Sequence, residues 1–282
     1  MKVLITGKDS YIGGRIAAFL RMEPETFEVH ELDLRDGVNG SAFYDFDAVI
    51  HVAGIAHQKE TEANAALYRM VNRDLAVMTA SAAKAHGVKQ FVFFSSMSVY
   101  GMTTGEITLQ TQPSPNTHYG VSKWEAEQEL DQLRDEQFHI AVLRPPMIYG
   151  RGCRGNYPRL SALAQRLPLF PYVDNARSML YIDVLCAFVK KLLLSGKGGL
   201  YFPQNREYVS TCELVKEVAY CHNKPMRMVY GFDWLIRLAA KHIGLVGKVF
   251  GSLTYDQSMS ESFRDTSEPD FARTIRMTEV GR

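Results

Sequence analysis

Val3-Leu4-Ile5-Thr6-Gly7-Lys8-Asp9-Ser10-Tyr11-Ile12-Gly13-Gly14 is the stretch that decides the fold. Its aliphatic run predicts a short buried strand over Lys2 to Thr6, and Gly7 breaks it. The pattern from Gly13 to Met22 then predicts a helix. A first strand that turns into a helix through glycines leaves backbone N–H groups and a helix dipole facing outward. The pyrophosphate of a dinucleotide can rest there, because glycine lets the phosphates approach. A tight turn with no ligand would use the same glycines, so the reading needs support from the rest of the chain.

Outward from this turn, strands and helices alternate. Strands are expected at Phe27 to Leu32, Ala48 to Val52, Gln90 to Ser95 and His139 to Leu143. Helices are expected over Glu60 to His86 and over Tyr119 to Glu136, the latter dense in i,i+4 charge. This alternation predicts an α/β fold, a doubly wound parallel sheet. After Arg144-Pro145-Pro146 the pattern changes. A loop-rich region precedes a helix over Asp183 to Leu194, a strand at Leu200 to Phe202, and a helix from Ser210 to His222 opened by a Ser210/Glu213 capping box. We therefore expect a dinucleotide-binding domain over 1–145 with return segments near 178–203. A smaller discontinuous lobe, built from 146–177 and 204–282, would bind substrate.

Composition removes several classes of function. The 282 residues are 46% hydrophobic and 22% charged, which fits a packed domain rather than a disordered chain. Lys plus Arg number 32 against 31 Asp plus Glu, so no field of one sign recruits nucleic acid or an anionic membrane. Trp234 to Gly247 is the most membrane-like stretch, yet it is short and carries Arg237, Lys241 and His242. A helix packed on its own domain is the expected reading there, ahead of one lying on lipid. Val3-Leu4-Ile5 is too short for the core of a signal peptide. Cys153, Cys186, Cys212 and Cys221 are widely spaced with no CxxC, as expected of reduced thiols in a cytoplasmic protein without a metal site.

Two further constellations carry chemistry. Ser95-Ser96-Met97-Ser98-Val99-Tyr100-Gly101 ends a buried strand, and Tyr119-Gly120-Val121-Ser122-Lys123 opens a helix. Tyr and Lys four residues apart share one helix face. An ammonium beside the phenol favours phenolate and brings a group of pKa about 10 into the range of a working base. With 14 Tyr and 13 Lys in the chain, one such pair is expected by chance less than once. A second copy, Tyr220 to Lys224, has no Ser-bearing strand end before it and is read as coincidence.

Together these residues resemble the extended short-chain dehydrogenase/reductase family, in particular its NAD-dependent sugar-nucleotide epimerases and dehydratases, which have a Rossmann-type fold. The resemblance spans roughly 1–215 with motifs in order. After the glycine turn come Val49-Ile50-His51-Val52-Ala53-Gly54, Asn72, His86-Gly87-Val88-Lys89, the Ser96 and Tyr119 motifs, and Arg144-Pro145 before Tyr149-Gly150. It implies that Gly7, Ser10, Tyr11, Ile12 and Gly13 line the pyrophosphate, with Val52, Ala53 and Gly54 alongside the adenine ribose. Asp33 and Leu34 would meet the adenosine, Asn72 would brace the backbone of the site, and Pro146 would border the nicotinamide. Ser96, Tyr119 and Lys123 would be the catalytic trio, with Lys123 also on the nicotinamide ribose. Asn156 and Arg177 would meet the diphosphate of the substrate, for which a permanently charged bidentate Arg is well suited. The plain alternatives are a turn residue and a surface charge.

Three departures bear on detail. Ser10 stands where the family carries a glycine, and its side chain must fit near the pyrophosphate. Asp33-Leu34-Arg35-Asp36 merges segments that relatives keep apart; Asp33 favours NAD, whereas Arg35 would welcome NADP. Met147 replaces a frequent Asn. Met97 and Ser98 occupy the positions of a dehydratase's acid pair, and no Cys lies just beyond Ser96 as in GDP-fucose synthases. The expected activity is thus an NAD-dependent C4 epimerase of a nucleotide-activated hexose, UDP-hexose first among them, working through a 4-keto intermediate. The resemblance further implies a cytoplasmic homodimer serving polysaccharide biosynthesis. The rivals are an NAD(P)H-dependent 4-keto reductase and a nucleotide sensor that keeps the fold without catalysis.

Overall fold

The computed structural model describes residues 1–56, 58–232, 236, 238, 247, 249–263 and 268–281. Six parallel strands form the central sheet: β1 (Lys2–Thr6), β2 (Glu28–Leu32), β3 (Ala48–His51), β4 (Gln90–Phe94), β6 (His139–Leu143) and β10 (Gly199–Tyr201). Their order across the sheet is β2-β1-β3-β4-β6-β10. Register runs Lys2 to Glu28, Val3 to Ala48, Ala48 to Gln90, Gln90 to His139 and Ala141 to Gly199.

Alternation along the strands builds two cores, one on each face. Val3, Ile5, Ala48, Ile50, Val92, Phe94, Ala141 and Leu143 pack on one side with α1 (Tyr11–Leu20) and α6 (Ile182–Ser195). Leu4, Val49, Phe91, Phe93, Ile140 and Val142 pack on the other with α3 (Leu75–Ala85) and α4 (His118–Asp131). Burial on both faces is what a doubly wound parallel sheet requires. Between β2 and β3 the chain makes only a single 3₁₀ turn, Gly40–Phe43, so β2 is the sheet edge.

The lobe beyond the sheet is assembled from short parallel pairs. These are β5 (Gly105–Ile107) with β12 (Leu253–Tyr255), β7 (Met147–Tyr149) with β9 (Met179–Tyr181), and β8 (Leu169–Pro171) with β11 (Arg227–Val229). Among the described residues, α5 (Asn156–Arg166), α7 (Thr211–Cys221) and α8 (Phe271–Glu279) also belong to it. Among the described residues no helix is long and apolar enough to cross a membrane. Trp234 to Gly247 lies, apart from Ile236, Leu238 and Gly247, outside the described residues.

Some expected elements change. The helix expected over Glu60 to His86 is not continuous. It starts as a 3₁₀ turn at Glu62–Asn64, runs as α2 (Ala65–Arg69), widens into a π turn at Met70–Asp74, and resumes as α3. The helix expected to reach Glu136 stops at Asp131, since Asp135 turns back to accept the N–H groups of Gln137 and Phe138. Ser210 caps α7 by accepting the Glu213 N–H, 3.0 Å away.

Candidate active site

The ends of β1, β3, β4 and β6 open on one edge of the sheet, where ligands of such folds bind. Gly7 follows β1 with φ +93°; a Cβ there would stand 2.8 Å from the Ala53 nitrogen and 3.1 Å from the Val52 carbonyl carbon. The ends of β1 and β3 therefore meet backbone to backbone. A Cβ on Gly13 would strike Ser10 Oγ at 2.6 Å and Val52 at 2.9 Å, so this glycine lets α1 sit close to β3. Ser10 answers the question raised by its departure: its Oγ accepts the Gly13 N–H at 3.1 Å and caps α1. The side chain is folded into the helix start. Tyr11 extends instead toward β7, and a Cβ on Gly150 would come within 2.7 Å of its hydroxyl.

Asp33, just past the end of β2, is engaged by Arg35, which reaches its carboxylate through Nε at 2.8 and 3.0 Å and also pairs with Asp9 at 3.6 Å. This contact holds the Asp33 carboxyl down at about 2. Leu34 beside it is buried. The NAD-type acid and the NADP-type base that the sequence set in competition are thus paired with each other.

Ser96 and Tyr119 meet. Ser96 ends β4 and caps the 3₁₀ turn Met97–Tyr100, accepting the Ser98 N–H at 3.1 Å and donating to Ser98 Oγ at 3.2 Å. Tyr119 lies in the first turn of α4, and enclosure raises its hydroxyl above the ordinary tyrosine value while the neighbouring Ser96 hydroxyl pulls the other way. Lys123, one turn on, is buried and pushed down to about 8 by that burial, against the pull of Glu127. Its Nζ lies 4.7 Å from the centre of the Phe93 ring. Tyr220, of the second copy, stands exposed on α7.

Three supports were not read from the sequence. Glu60 accepts the His118 and Tyr119 N–H groups at 2.7 and 3.4 Å, a carboxylate on the N-terminus of α4 where the dipole favours one. Tyr68 meets Tyr119 edge-on at 6.5 Å. Arg144 forms a buried ion pair with Glu127 behind the trio. A charged residue four after Lys123, on the inward helix face, was the signal for the last of these. Asn72 was expected as a brace. Fully buried, it accepts the Ile55 N–H at 2.8 Å and donates to Ile55 O at 3.1 Å and Ser122 Oγ at 3.2 Å.

Further out, Pro146 is buried beyond β6, and Asn156 is exposed at the first residue of α5. Arg177 bridges Val209 and Leu253 through its backbone and donates to Gly251 O at 2.7 Å. Among the described residues no carboxylate pairs with it, and burial lowers its pKa. A mostly enclosed cation without a counter-charge is suited to an anion.

These residues fit a dinucleotide: a cradle that a single Cβ would fill, an acid beyond β2, and a buried lysine behind a phenol. Fold and site define a dinucleotide-dependent enzyme of the short-chain dehydrogenase/reductase type. The chain belongs to the NAD dependent epimerase/dehydratase family, whose model matches residues 3–199. UDP-glucose 4-epimerase of Vibrio cholerae is 27% identical over 310 residues, covering 94% of this chain and 94% of its own. The N-acetyl-alpha-D-glucosaminyl-diphospho-ditrans,octacis-undecaprenol 4-epimerase of Escherichia coli O157:H7 is 27% identical, covering 85% and 81%. Among solved structures, UDP-glucuronic acid 4-epimerase from Bacillus cereus in complex with NAD has the same fold, with TM-score 0.76, 17% identity, and coverage of 99% and 95%.

Proposed function

We propose that this chain is an NAD-dependent 4-epimerase of a diphosphate-activated hexose, with UDP-hexose the first candidate. The observation that carries the reading is that Ser96, just past a strand end, bears on the Tyr119 hydroxyl, with Lys123 buried one helical turn away. Gly7, Ser10, Tyr11, Ile12 and Gly13 would hold the NAD pyrophosphate at the α1 N-terminus, with Val52, Ala53 and Gly54 beside it. Asp33 and Leu34 would meet the adenosine, and Lys123 and Pro146 the nicotinamide riboside. Bound NAD supplies a hydride acceptor and donor at the sugar carbon. Tyr119, as phenolate, takes the proton of the 4-hydroxyl, and Ser96 orients that oxygen. Lys123 keeps the phenolate stable by its charge. Once the 4-keto sugar has turned over in the site, so that hydride would return to the opposite face of C4, Tyr119 gives the proton back to the 4-oxygen. Asn156 and Arg177 would hold the diphosphate through both half-reactions.

Met97 and Ser98, where a dehydratase needs acids, favour epimerisation over elimination. In D₂O an epimerase leaves no deuterium on carbon, because the phenol handles only an exchangeable proton. It also accumulates no NADH, because the hydride returns to the carbon it left. The test panel comprises UDP-, GDP- and dTDP-hexoses together with an undecaprenyl-diphosphate hexosamine, the class of sugar carrier named for the E. coli relative. Deuterium on carbon, or stoichiometric consumption of NAD(P)H with a ketosugar, rejects the epimerase reading. For assembly we propose a C₂ homodimer through the helices at Glu62–Ala85 and α4, where Leu67, Met70 and Met78 stand exposed. A monomer mass by light scattering at micromolar concentration counts against it. Four free cysteines support a cytoplasmic site.

A further inference from the structure

Glu127 joins three separate pieces of the site. It lies one turn of α4 beyond Lys123, with its side chain 6% exposed. Arg144, at the end of β6, grips both carboxylate oxygens, with Nε 3.1 Å from each and Nη2 2.5 Å from Oε2. Ser95, the residue before Ser96, donates its hydroxyl to Oε1. Arg144 is itself fixed: Nη1 donates to the Tyr100 hydroxyl at 2.7 Å, and the guanidinium packs on the Tyr100 and Trp124 rings. Its carbonyl accepts from the Tyr255 hydroxyl at 2.9 Å, and Pro145-Pro146 follow directly.

A buried ion pair is a poor device for stability alone, because apolar side chains of similar volume serve as well or better. The surroundings of Lys123 suggest what else this pair does. Phe93 faces the ammonium from β4, and a Cβ on Gly54 would stand 3.4 Å from Nζ and 2.9 Å from Asn72 Oδ1. His51, at the end of β3, is neutral because burial pushes it down to about 3. Tyr119 is a neutral phenol on the same helix until it ionises. Among the described residues Glu127 is the anion that bears on Lys123.

We infer that Glu127 is a positioning residue: locked by Arg144 and Ser95, its carboxylate keeps the Lys123 ammonium charged beside Tyr119 and registers the strand end that carries Ser96. The inference rests on the Tyr119–Lys123 assignment above, but not on which sugar is bound. Its sign is fixed by electrostatics. Without the anion, Lys123 loses its proton at lower pH, and a neutral lysine no longer favours phenolate. An unpaired Arg144 pushes in the same direction.

The test is a carbon-13 titration of the lysine ε-carbons in the full-length protein, with Lys123 assigned by the loss of its signal in Lys123→Arg. Wild type is compared with Glu127→Gln, which keeps an acceptor oxygen and removes the charge, and with Glu127→Gln/Arg144→Gln, which leaves neither charge unpaired. The Lys123 midpoint should fall by about one pH unit or more in Glu127→Gln and by less in the double variant. The alkaline limb of kcat/KM should move down with it. Equal Lys123 midpoints in all three proteins overturn the inference and leave the pair a structural cross-link, whatever happens to Tm. If Glu127→Gln does not fold, the double variant against wild type decides alone. Full turnover in Tyr119→Phe would remove the catalytic assignment instead, and the lysine titration would still decide what Glu127 does to Lys123.

Discussion

Gly7→Ala separates two costs that are usually mixed. Gly7 and Gly37 share nearly the same φ, +93° and +97°. Alanine at either position suffers the left-handed strain, about 1 kcal/mol. At Gly37 the new methyl meets nothing within 4 Å, so strain is the whole effect. At Gly7 it lands 2.8 Å from the Ala53 nitrogen, 3.0 Å from its Cα and 3.1 Å from the Val52 carbonyl carbon. All three are backbone atoms, and none can rotate away. The ends of β1 and β3 must part, which adds about 1–3 kcal/mol of overpacking. The expected losses are therefore about 2–4 kcal/mol for Gly7→Ala and about 1 for Gly37→Ala. Gly14→Ala, in α1 with open space around it, should gain about 0.5–1 kcal/mol. Urea unfolding at constant slope measures these differences. Calorimetric titration of the still-folded proteins with NAD should show Gly7→Ala weakened at least about tenfold and Gly37→Ala unchanged. Equal destabilisation at Gly7 and Gly37, or wild-type NAD affinity in Gly7→Ala, would refute the close-approach argument for this turn.

Tyr119→Phe should lower turnover by about a hundredfold or more at nearly unchanged NAD affinity, while Tyr220→Phe stays near wild type; comparable losses in both would sink the assignment. Arg177→Met should raise the substrate KM at least about tenfold yet leave Tm equal or higher, because a mostly enclosed cation with no carboxylate partner among the described residues is replaced by an apolar chain. A drop in Tm with unchanged KM would make Arg177 structural. His51, neutral in the fold with its pKa depressed to about 3, should make the protein lose stability as pH falls from about 6.5 toward 3, since the unfolded chain takes up the proton first. The slope is at most about 1.4 kcal/mol per pH unit, and His51→Asn, which keeps a partner for Thr6 Oγ1, should flatten it. An identical acid slope in both proteins would rule His51 out as its source.

What could be read from the sequence follows from where each signal originates. The sheet strands are buried on both faces, so they stand out as apolar runs such as Phe91-Val92-Phe93-Phe94. The lobe strands are three residues long, too short for any period, and Gly105–Ile107 finds its partner 148 residues later at Leu253–Tyr255. Nothing local marks them. Tyr119 and Lys123 were legible because one helix face carries both. Glu127 continues that face, yet the dense charge of α4 reads as a solvated surface. In the fold the charges divide. Glu125 and Glu129 reach across to Arg69 and Arg73 on the neighbouring helix, while Glu127 turns inward to Arg144. Only the tertiary fold brings Ser95, Glu127 and Arg144 together, and no sequence spacing encodes it.

The π turn at Met70–Asp74 shows why a helix defect can be worth keeping. The wider turn adds a residue to one revolution and shifts the phase of everything that precedes it. Upstream of it, Tyr68 reaches Tyr119; downstream, Ala76, Ala80 and Ala83 keep their places in the core beside α4. Within it, Asn72 is turned fully inward, where it satisfies both the N–H and the carbonyl of Ile55. Its amide also donates to Ser122, whose hydroxyl bonds the Tyr119 carbonyl at 2.9 Å. The loop after β3 and the first turn of α4 are thus tied through one side chain. Neither end can shift without unpairing a buried amide, a cost of about 1–3 kcal/mol per group. Straightening the helix would rotate Asn72 out of that position. The defect therefore couples the loop after β3, at Gly54-Ile55, to the backbone that carries the phenol.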